Sequence, residues 1–389
     1  MKVANRLSSL FFGATIRLLQ IFHKRVTIEI ALVECRFFGH VALEPEVVAL
    51  RMRTAVHDKD RLTLHLLSLP LRGPVQTKEL VRLRKRQFLW IPIFVTSRLQ
   101  AAQLRLGVFP IRIESFGYHE LNQLAISAPT LHVKECSWIG RNHQDSEELG
   151  GADEIVTLTL REPEIHQLQD RFRDRNFEEF LDAIQGLESL GVKVVKMGRS
   201  VTRPGYREEQ FKLFYDYASS GKHSLSAEIQ YAKNSLFCVS SLTGYDALCL
   251  ALRRPVFYLD SARLFYLFLG TELAHFNFPT FRDSKSMKQL HLSELLERGW
   301  ATFKTPMEFD EAKISVQQSD RNLIRDYMSD MVAICRGVRS PTAFHQGLQD
   351  RFAEIVLKYD LGAVAARHGE PRARLSLLFL DRFGEAFIK

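Results

Sequence analysis

The sequence predicts an α/β protein built from two Rossmann-like domains that face a cleft, and three observations carry that expectation. At 389 residues the chain is longer than one hydrophobic core usually grows to, and a polar stretch from 135 to 153, with Asn142, Gly150 and Gly151, offers a boundary. Between Ile155 and Leu259 short apolar strand patterns alternate with amphipathic helical ones, the arrangement that winds into a parallel sheet. Arg161, Gly198-Arg199 and the turn Ser240 to Gly244 each follow a strand pattern, so all three fall on one rim of that sheet, where open α/β sheets bind ligands. The expected divisions are an N-terminal helix (1–24), a first domain (25–150), a second domain (151–340) and a helical tail (341–389) that could pack back on the first domain.

Composition narrows the function classes. With 46% hydrophobic and 25% charged residues the chain is ordinary globular material. A net charge of +8 and a pI near 9.2 suit an anionic partner, whether nucleic acid, anionic lipid or a phosphorylated sugar. The five cysteines (Cys35, Cys136, Cys238, Cys249, Cys335) are odd in number, widely spaced and without a CxxC, which argues for small core residues in a reducing compartment over a disulfide or zinc framework.

From the N-terminus, Met1 to Lys24 interleaves Lys2, Arg6, Arg17 and Lys24 with apolar residues whose runs are far too short to cross a bilayer. No small-x-small cleavage site follows, so a basic amphipathic helix in the membrane interface is preferred, with a helix packed on the domain as the alternative. Val26 to Val33 is β-branched and apolar, a buried strand, and a helix is expected from Val47 to Met52 with Pro45 and Glu46 in its first turn. His40, Glu44 and Glu46 then cluster at the carboxyl end of the first strand, either as structural groups or as a catalytic set. Leu62 to Leu69 and Phe88 to Thr96 read as further strands. The basic stretch from Lys78 to Arg86 reads first as a solvated face and second as a contact for anionic headgroups.

The second half is more regular. Strands are expected at Ile155 to Leu160, Val192 to Met197, Leu236 to Val239 and Pro255 to Leu259, with helices at Phe177 to Leu190, Ser224 to Ala232 and Tyr245 to Leu252. Glu272, His275 and Asn277 fall in a loop-like region, and long helical patterns follow at Asp320 to Arg336 and Pro341 to Tyr359. A strand, the hydroxyl-rich turn Ser240-Ser241-Leu242-Thr243-Gly244 and a helix start together present N–H groups and hydroxyls to a phosphate. Alone, that turn reads first as a helix cap; beside Arg161 and Arg199 it reads as an anion seat. GxxxxGK[ST] and GxGxxG are both absent, which excludes a P-loop and a dinucleotide fingerprint.

This distribution suits a nucleotide-sugar donor on the second domain and an acceptor hydroxyl met by a base on the first. Arg161, Gly198, Arg199, Ser240, Ser241, Thr243 and Gly244 are the expected donor ligands, stabilising the departing diphosphate. His40 would take the acceptor proton, with Glu44 or Glu46 orienting its ring. The one DxD, Asp58-Lys59-Asp60, precedes a strand at the end opposite the ligand rim and reads as a solvated loop and not as a metal site; no cofactor is expected beside the nucleotide-sugar donor.

Several stretches carry a family resemblance: residues 36–46 (RFFGHVALEPE), Val156 to Glu162, Arg173-Asp174-Arg175-Asn176, Gly191 to Gly198, Asp216 to Ser219, Val239 to Gly244, Phe281-Arg282-Asp283 and Leu290 to Gly299. In order and spacing they resemble a family of bacterial glycosyltransferases associated with surface-polysaccharide and lipopolysaccharide gene clusters. That resemblance implies a GT-B fold, metal-independent transfer from a nucleotide sugar to a glycan or lipid-linked acceptor, and work at the cytoplasmic face of the membrane, peripheral on an anionic surface. The Arg161 and Ser240-Ser241 features are also distantly similar to the donor-diphosphate motifs of GDP-fucose transferases, which favours a GDP-sugar, and Gly39-His40 resembles the Gly-His loop of several GT-B enzymes. Leu160-Arg161-Glu162-Pro163 departs from the Arg-Asp or Arg-Gly expected there, so nothing after Arg161 is carried over as a donor ligand.

Other classes fit less well. Nucleic-acid binding is compatible with the charge, but the aromatics lie in apolar runs and do not alternate with basic residues. A non-catalytic scaffold at the membrane remains, and a serine hydrolase using Ser241 lacks GxSxG.

Overall fold

The computed structural model describes residues 2–22, 25–35, 38–54, 62–73, 77–115, 154–162, 172–198, 210–267, 269–359 and 371–388. The described residues fall into two compact units, one before residue 116 and one after residue 153. Arg199, the Asp58 and Asp60 pair and the 135–153 linker lie outside the described residues.

The first unit runs α1 (Lys2–Phe22), β1 (Val26–Leu32), α2 (Phe38–Thr54), β2 (Leu62–Leu69), α3 (Lys78–Gln87), β3 (Trp90–Pro92), α4 (Ile93–Leu106) and β4 (Ile111–Ser115). Its four strands are all parallel in the order β3-β2-β1-β4, half of a Rossmann sheet. On one face Ile28, Ile30, Leu66 and Ile111 join Ile16 of α1 and Leu99 of α4 in a single apolar cluster. The alternate positions Ala31, Leu67 and Leu69 are buried on the opposite face, the side of the α2 and α3 crossovers.

Two expectations change here. Phe88 to Thr96 is not one strand: only Trp90–Pro92 pairs with β2, and α4 starts at Ile93 with Pro92 in its cap position. The helix expected from Val47 instead begins at Phe38, so His40 sits in its first turn and Pro45 inside it. A proline there cannot donate to the carbonyl four residues back, that of Val41. Buried Arg84 fills the gap, donating from Nε to the Val41 carbonyl at 3.2 Å and from Nη2 to that of Ala42. Glu46 holds Arg84 in place through a 2.7 Å ion pair between two buried side chains. The basic stretch 78–86 is therefore not simply a solvated face.

The second unit runs β5 (Ile155–Thr159), a 3-10 turn (Phe177–Phe180), α5 (Leu181–Ser189), β6 (Lys193–Met197), β7 (Phe214–Asp216), α6 (Leu225–Asn234), β8 (Ser235–Ser240), α7 (Gly244–Ala251), β9 (Val256–Tyr258) and β10 (Ala274–Phe276). These match the expected strands and helices to within a few residues, except that His275 lies in β10 and not in a loop. There follow an antiparallel pair, β11 (Thr280–Asp283) and β12 (Ile314–Gln317), with α8 (Leu292–Glu297) and α9 (Pro306–Glu311) between them, then α10 (Arg321–Cys335), α11 (Ala343–Lys358) and β13 (Arg374–Leu375). The main sheet has the order β13-β10-β9-β8-β5-β6-β7, and every pairing in it is parallel.

The tail, expected as an element that could return to the first domain, completes this second unit. β13 pairs with β10 as the sheet's edge strand, and Phe387 places its ring 5.3 Å from that of Phe278. The physical reason is the buried aromatic cluster of Phe276, Phe278, Phe281 and Trp300, which the tail covers with its own apolar rings.

Candidate functional site

The strand order locates the site. From β5 the chain winds outward through β6 and β7, then returns to the other side of β5 for β8, β9 and β10. The segments leaving β5 and β8 therefore diverge, and the crevice at their carboxyl ends is the topological switch point where open α/β sheets bind ligands. Thr159 and Ser240, the last residues of β5 and β8, are register partners at that crevice.

The turn after β8 is tied across to the segment after β5 by its hydroxyls. Ser241 Oγ accepts from the Arg161 amide at 2.8 Å, and Thr243 Oγ1 lies 2.9 Å from Thr159 Oγ1. Thr243 occupies the N-cap position of α7 without capping it through its side chain. Asp246 serves instead: its carboxylate accepts from Ser240 Oγ at 2.7 Å, and Ser240 Oγ in turn accepts from the Thr243 amide at 3.2 Å. Burial pushes the Asp246 carboxyl up to about 6, opposed by the Ser240 hydroxyl and the charge of Arg173. Leu242 between the serines and Thr243 has φ of 63°, the left-handed region, so the turn is held in a conformation a leucine does not choose. Gly244 and Tyr245 open the helix, and their N–H groups have no intrahelical acceptor.

Arginines surround this turn. Arg161 pairs with Asp174 at 3.2 Å, and the two residues also form a parallel backbone bridge. Arg175 is buried and doubly held, by Asp260 at 2.7 Å and Glu179 at 3.0 Å. Asp260 is itself fixed by Asn277 Nδ2 at 2.8 Å and by the Ser319 amide at 2.7 Å. A small cavity beside the turn is lined by Arg173, Arg175 and Arg263 together with Ser241 and Leu242. Arg175 is thus paired within the core; Arg173 and Arg263 also line the cavity, and Arg263 donates from Nη1 to the Lys304 carbonyl.

Of the expected donor residues, Arg161, Ser240, Ser241, Thr243 and Gly244 come together at the switch point. Gly198 lies at the carboxyl end of the neighbouring strand β6 with φ of 108°, a conformation open to glycine, and Arg199 is outside the described residues. Glu162, the departure from the family pattern, is taken by the nearly buried Lys196 of β6 at 2.6 Å. Sequence reasoning gave no role to Asp246, Arg173 or Arg175. Arg173-Asp174-Arg175 entered only among the stretches that carry the family resemblance, and nothing in the sequence says that it folds back onto Arg161.

In the first unit His40 Nδ1 lies 2.5 Å from Glu44 Oε1, one helical turn away, and the Glu44 carboxylate also accepts from the Glu34 amide at 3.2 Å. Burial pushes the Glu44 carboxyl up, and its contacts with His40 and the Glu34 amide pull it back down. In the tautomer in which Nδ1 donates to Glu44, Nε2 is the acceptor nitrogen of the ring, the arrangement a general base requires. His40 and Glu44 are thus brought together as expected. Glu46 is not part of that pair: it is consumed by Arg84 beneath the proline, because successive glutamates two apart on a helix point to different sides.

No family model matches the chain, and no curated protein matches it. Among solved structures, E. coli ADP-heptose lipopolysaccharide heptosyltransferase II is 12% identical, with a TM-score of 0.35 over 60% of this chain and 84% of that one. An E. coli heptosyltransferase with ADP-2-deoxy-2-fluoro heptose is also 12% identical, with a TM-score of 0.31 over 60% and 88%. The iron-containing dodecameric glycosyltransferase TibC of enterotoxigenic E. coli is 11% identical, with a TM-score of 0.33 over 61% and 60%. At these identities and TM-scores the likenesses carry no argument about the activity of this chain.

Proposed function

We propose that the chain is a glycosyltransferase that binds the diphosphate of a nucleotide-sugar donor at the switch point of its second unit and passes the sugar to a glycan or lipid-linked acceptor. The observation that carries this is the convergence of Arg161, the strained Ser240 to Thr243 turn and the amide end of α7 on the carboxyl ends of β5 and β8. Amides and guanidinium groups there oppose the charge that develops on a leaving diphosphate, so that no divalent metal is required. His40 accepts the proton of the attacking hydroxyl while Glu44 fixes its ring. The second Rossmann-like unit supports this class over a simple nucleotide-binding protein, since a second sheet offers a separate acceptor platform. A GDP-sugar is the favoured donor on the distant sequence similarity to fucosyltransferases, and the family resemblance supports work at the cytoplasmic face of the membrane.

The experiment is thermal unfolding of the full chain with GDP, UDP, ADP and CMP, each with and without a chelator, in wild type and Arg161→Ala. A nucleotide present at about a hundred times its Kd should stabilise the protein by about 3 kcal/mol, and Arg161→Ala should remove most of the shift. Stabilisation by one nucleotide that persists in the chelator supports the proposal. No response to any of the four would sink it.

A further inference from the structure

The outward surface of the first unit is built the wrong way round for water. On α1 the exposed side chains recur at helical spacing, and they include Leu10 at 71%, Phe11 at 67% and Ile21 at 73% exposure, with Leu18 and Phe22 on the same stripe. The opposite stripe, with Phe12, Ile16 and Leu19, is already used against the sheet and α4. An amphipathic helix of a soluble domain would carry polar residues where these exposed ones stand. α4 repeats the pattern, exposing Phe94 and Leu104, and Phe109 follows in the turn after it.

The two helices form one outer layer. Both pack on the same sheet face, through Ile16 and Leu99, and they touch: a Cβ on Gly13 of α1 would lie 3.3 Å from Arg105 Nη2 of α4. Their outward stripes therefore face the same way. The charge on this layer has one sign. Arg17, Arg98 and Arg105 are exposed, and neither helix contains an aspartate or glutamate. Among the described residues no helix is long and apolar enough to cross a membrane.

We propose that α1 and α4 together form a docking platform that lies flat on an anionic lipid surface, with Phe11, Leu18, Ile21 and Leu104 entering the headgroup and acyl boundary and the arginines meeting lipid phosphates. Apolar area and cationic charge on one face, without any carboxylate, is the complement of such a surface. A second copy of the chain would bring the same arginines against each other. The expectation from the sequence concerned the N-terminal helix alone; the structure adds α4 and the turn at Phe109, and the proposal holds whether or not the chain transfers a sugar.

The test is flotation of the full-length protein with phosphatidylcholine vesicles with and without phosphatidylglycerol. Wild type should float with the anionic vesicles and far less with the neutral ones. Arg17→Gln with Arg98→Gln should weaken anionic binding about fivefold per arginine. Leu18→Asp with Ile21→Asp should abolish flotation at an unchanged melting temperature, because both side chains are exposed in the folded protein. Equal flotation on neutral vesicles, or retained flotation of the aspartate variant, would overturn the proposal. So would a wild-type dimer that does not float and that the aspartate variant converts to a monomer, which would assign the face to a second copy.

Discussion

At the scale of single residues, the His40–Glu44 pair and Asp246 make separable predictions. His40→Ala should lower the transfer rate by about a hundredfold to ten-thousandfold while leaving nucleotide-induced stabilisation intact, because His40 acts on the acceptor and not on the donor seat. Glu44→Gln should lower the rate less and shift the pH profile, since it alters the ring's orientation and basicity without removing the base. Asp246 bears on stability. Its folded value of about 6 lies above the ordinary 3.8, so the stability linked to its proton is fully present below 3.8 and is lost as pH rises through about 6. Unfolding at a series of pH values should therefore show wild type losing about 3 kcal/mol across that window relative to Asp246→Asn. Nucleotide affinity should rise as pH falls through the same range in wild type, since an ionised carboxylate in the first turn of α7 opposes the negative charge of a phosphate at that turn, and should be flatter in the asparagine variant.

At the scale of elements, two devices hold the sites in place. Glu46 and Arg84 repair the break that Pro45 makes in α2, so removing one partner leaves a buried charge without compensation. Glu46→Ala should cost about 3–5 kcal/mol in denaturant unfolding yet leave nucleotide binding by the folded fraction unchanged. The same glutamate as a catalytic group would instead lower turnover without loss of stability. Gly198 ends β6 at a positive φ, and a Cβ added there would meet nothing within 4 Å, so Gly198→Ala strains the backbone without a clash. A destabilisation of about 1–3 kcal/mol is expected, read from the midpoint of the same titration.

At the scale of the whole molecule, the division into two units makes ligand protection local. Hydrogen exchange with bound nucleotide should slow amides at the ends of β5 and β8 and the start of α7, and leave β1 to β4 unchanged. Much of this architecture was legible in the chain. Alternating apolar strands and amphipathic helices fixed the parallel sheets, since period and length alone distinguish these elements, and placed Arg161 and Ser240 to Gly244 at strand ends. Short elements misled: Trp90–Pro92 merged with the start of α4 because both are apolar, and β10 was hidden because His275 interrupts a three-residue strand. What the sequence determined by itself is therefore local, the element types, the rim on which anion-directed residues gather and the neighbourhood of His40, Glu44 and Glu46, whereas the choice of Glu44 over Glu46 came only with the helix that begins at Phe38. What only the tertiary structure decided is which charges are already spent. Glu46 goes to Arg84, Glu162 to Lys196 and Arg175 to Asp260, pairs separated by tens of residues whose meeting depends on strand order, and buried charge must find such partners before any is left to meet a ligand.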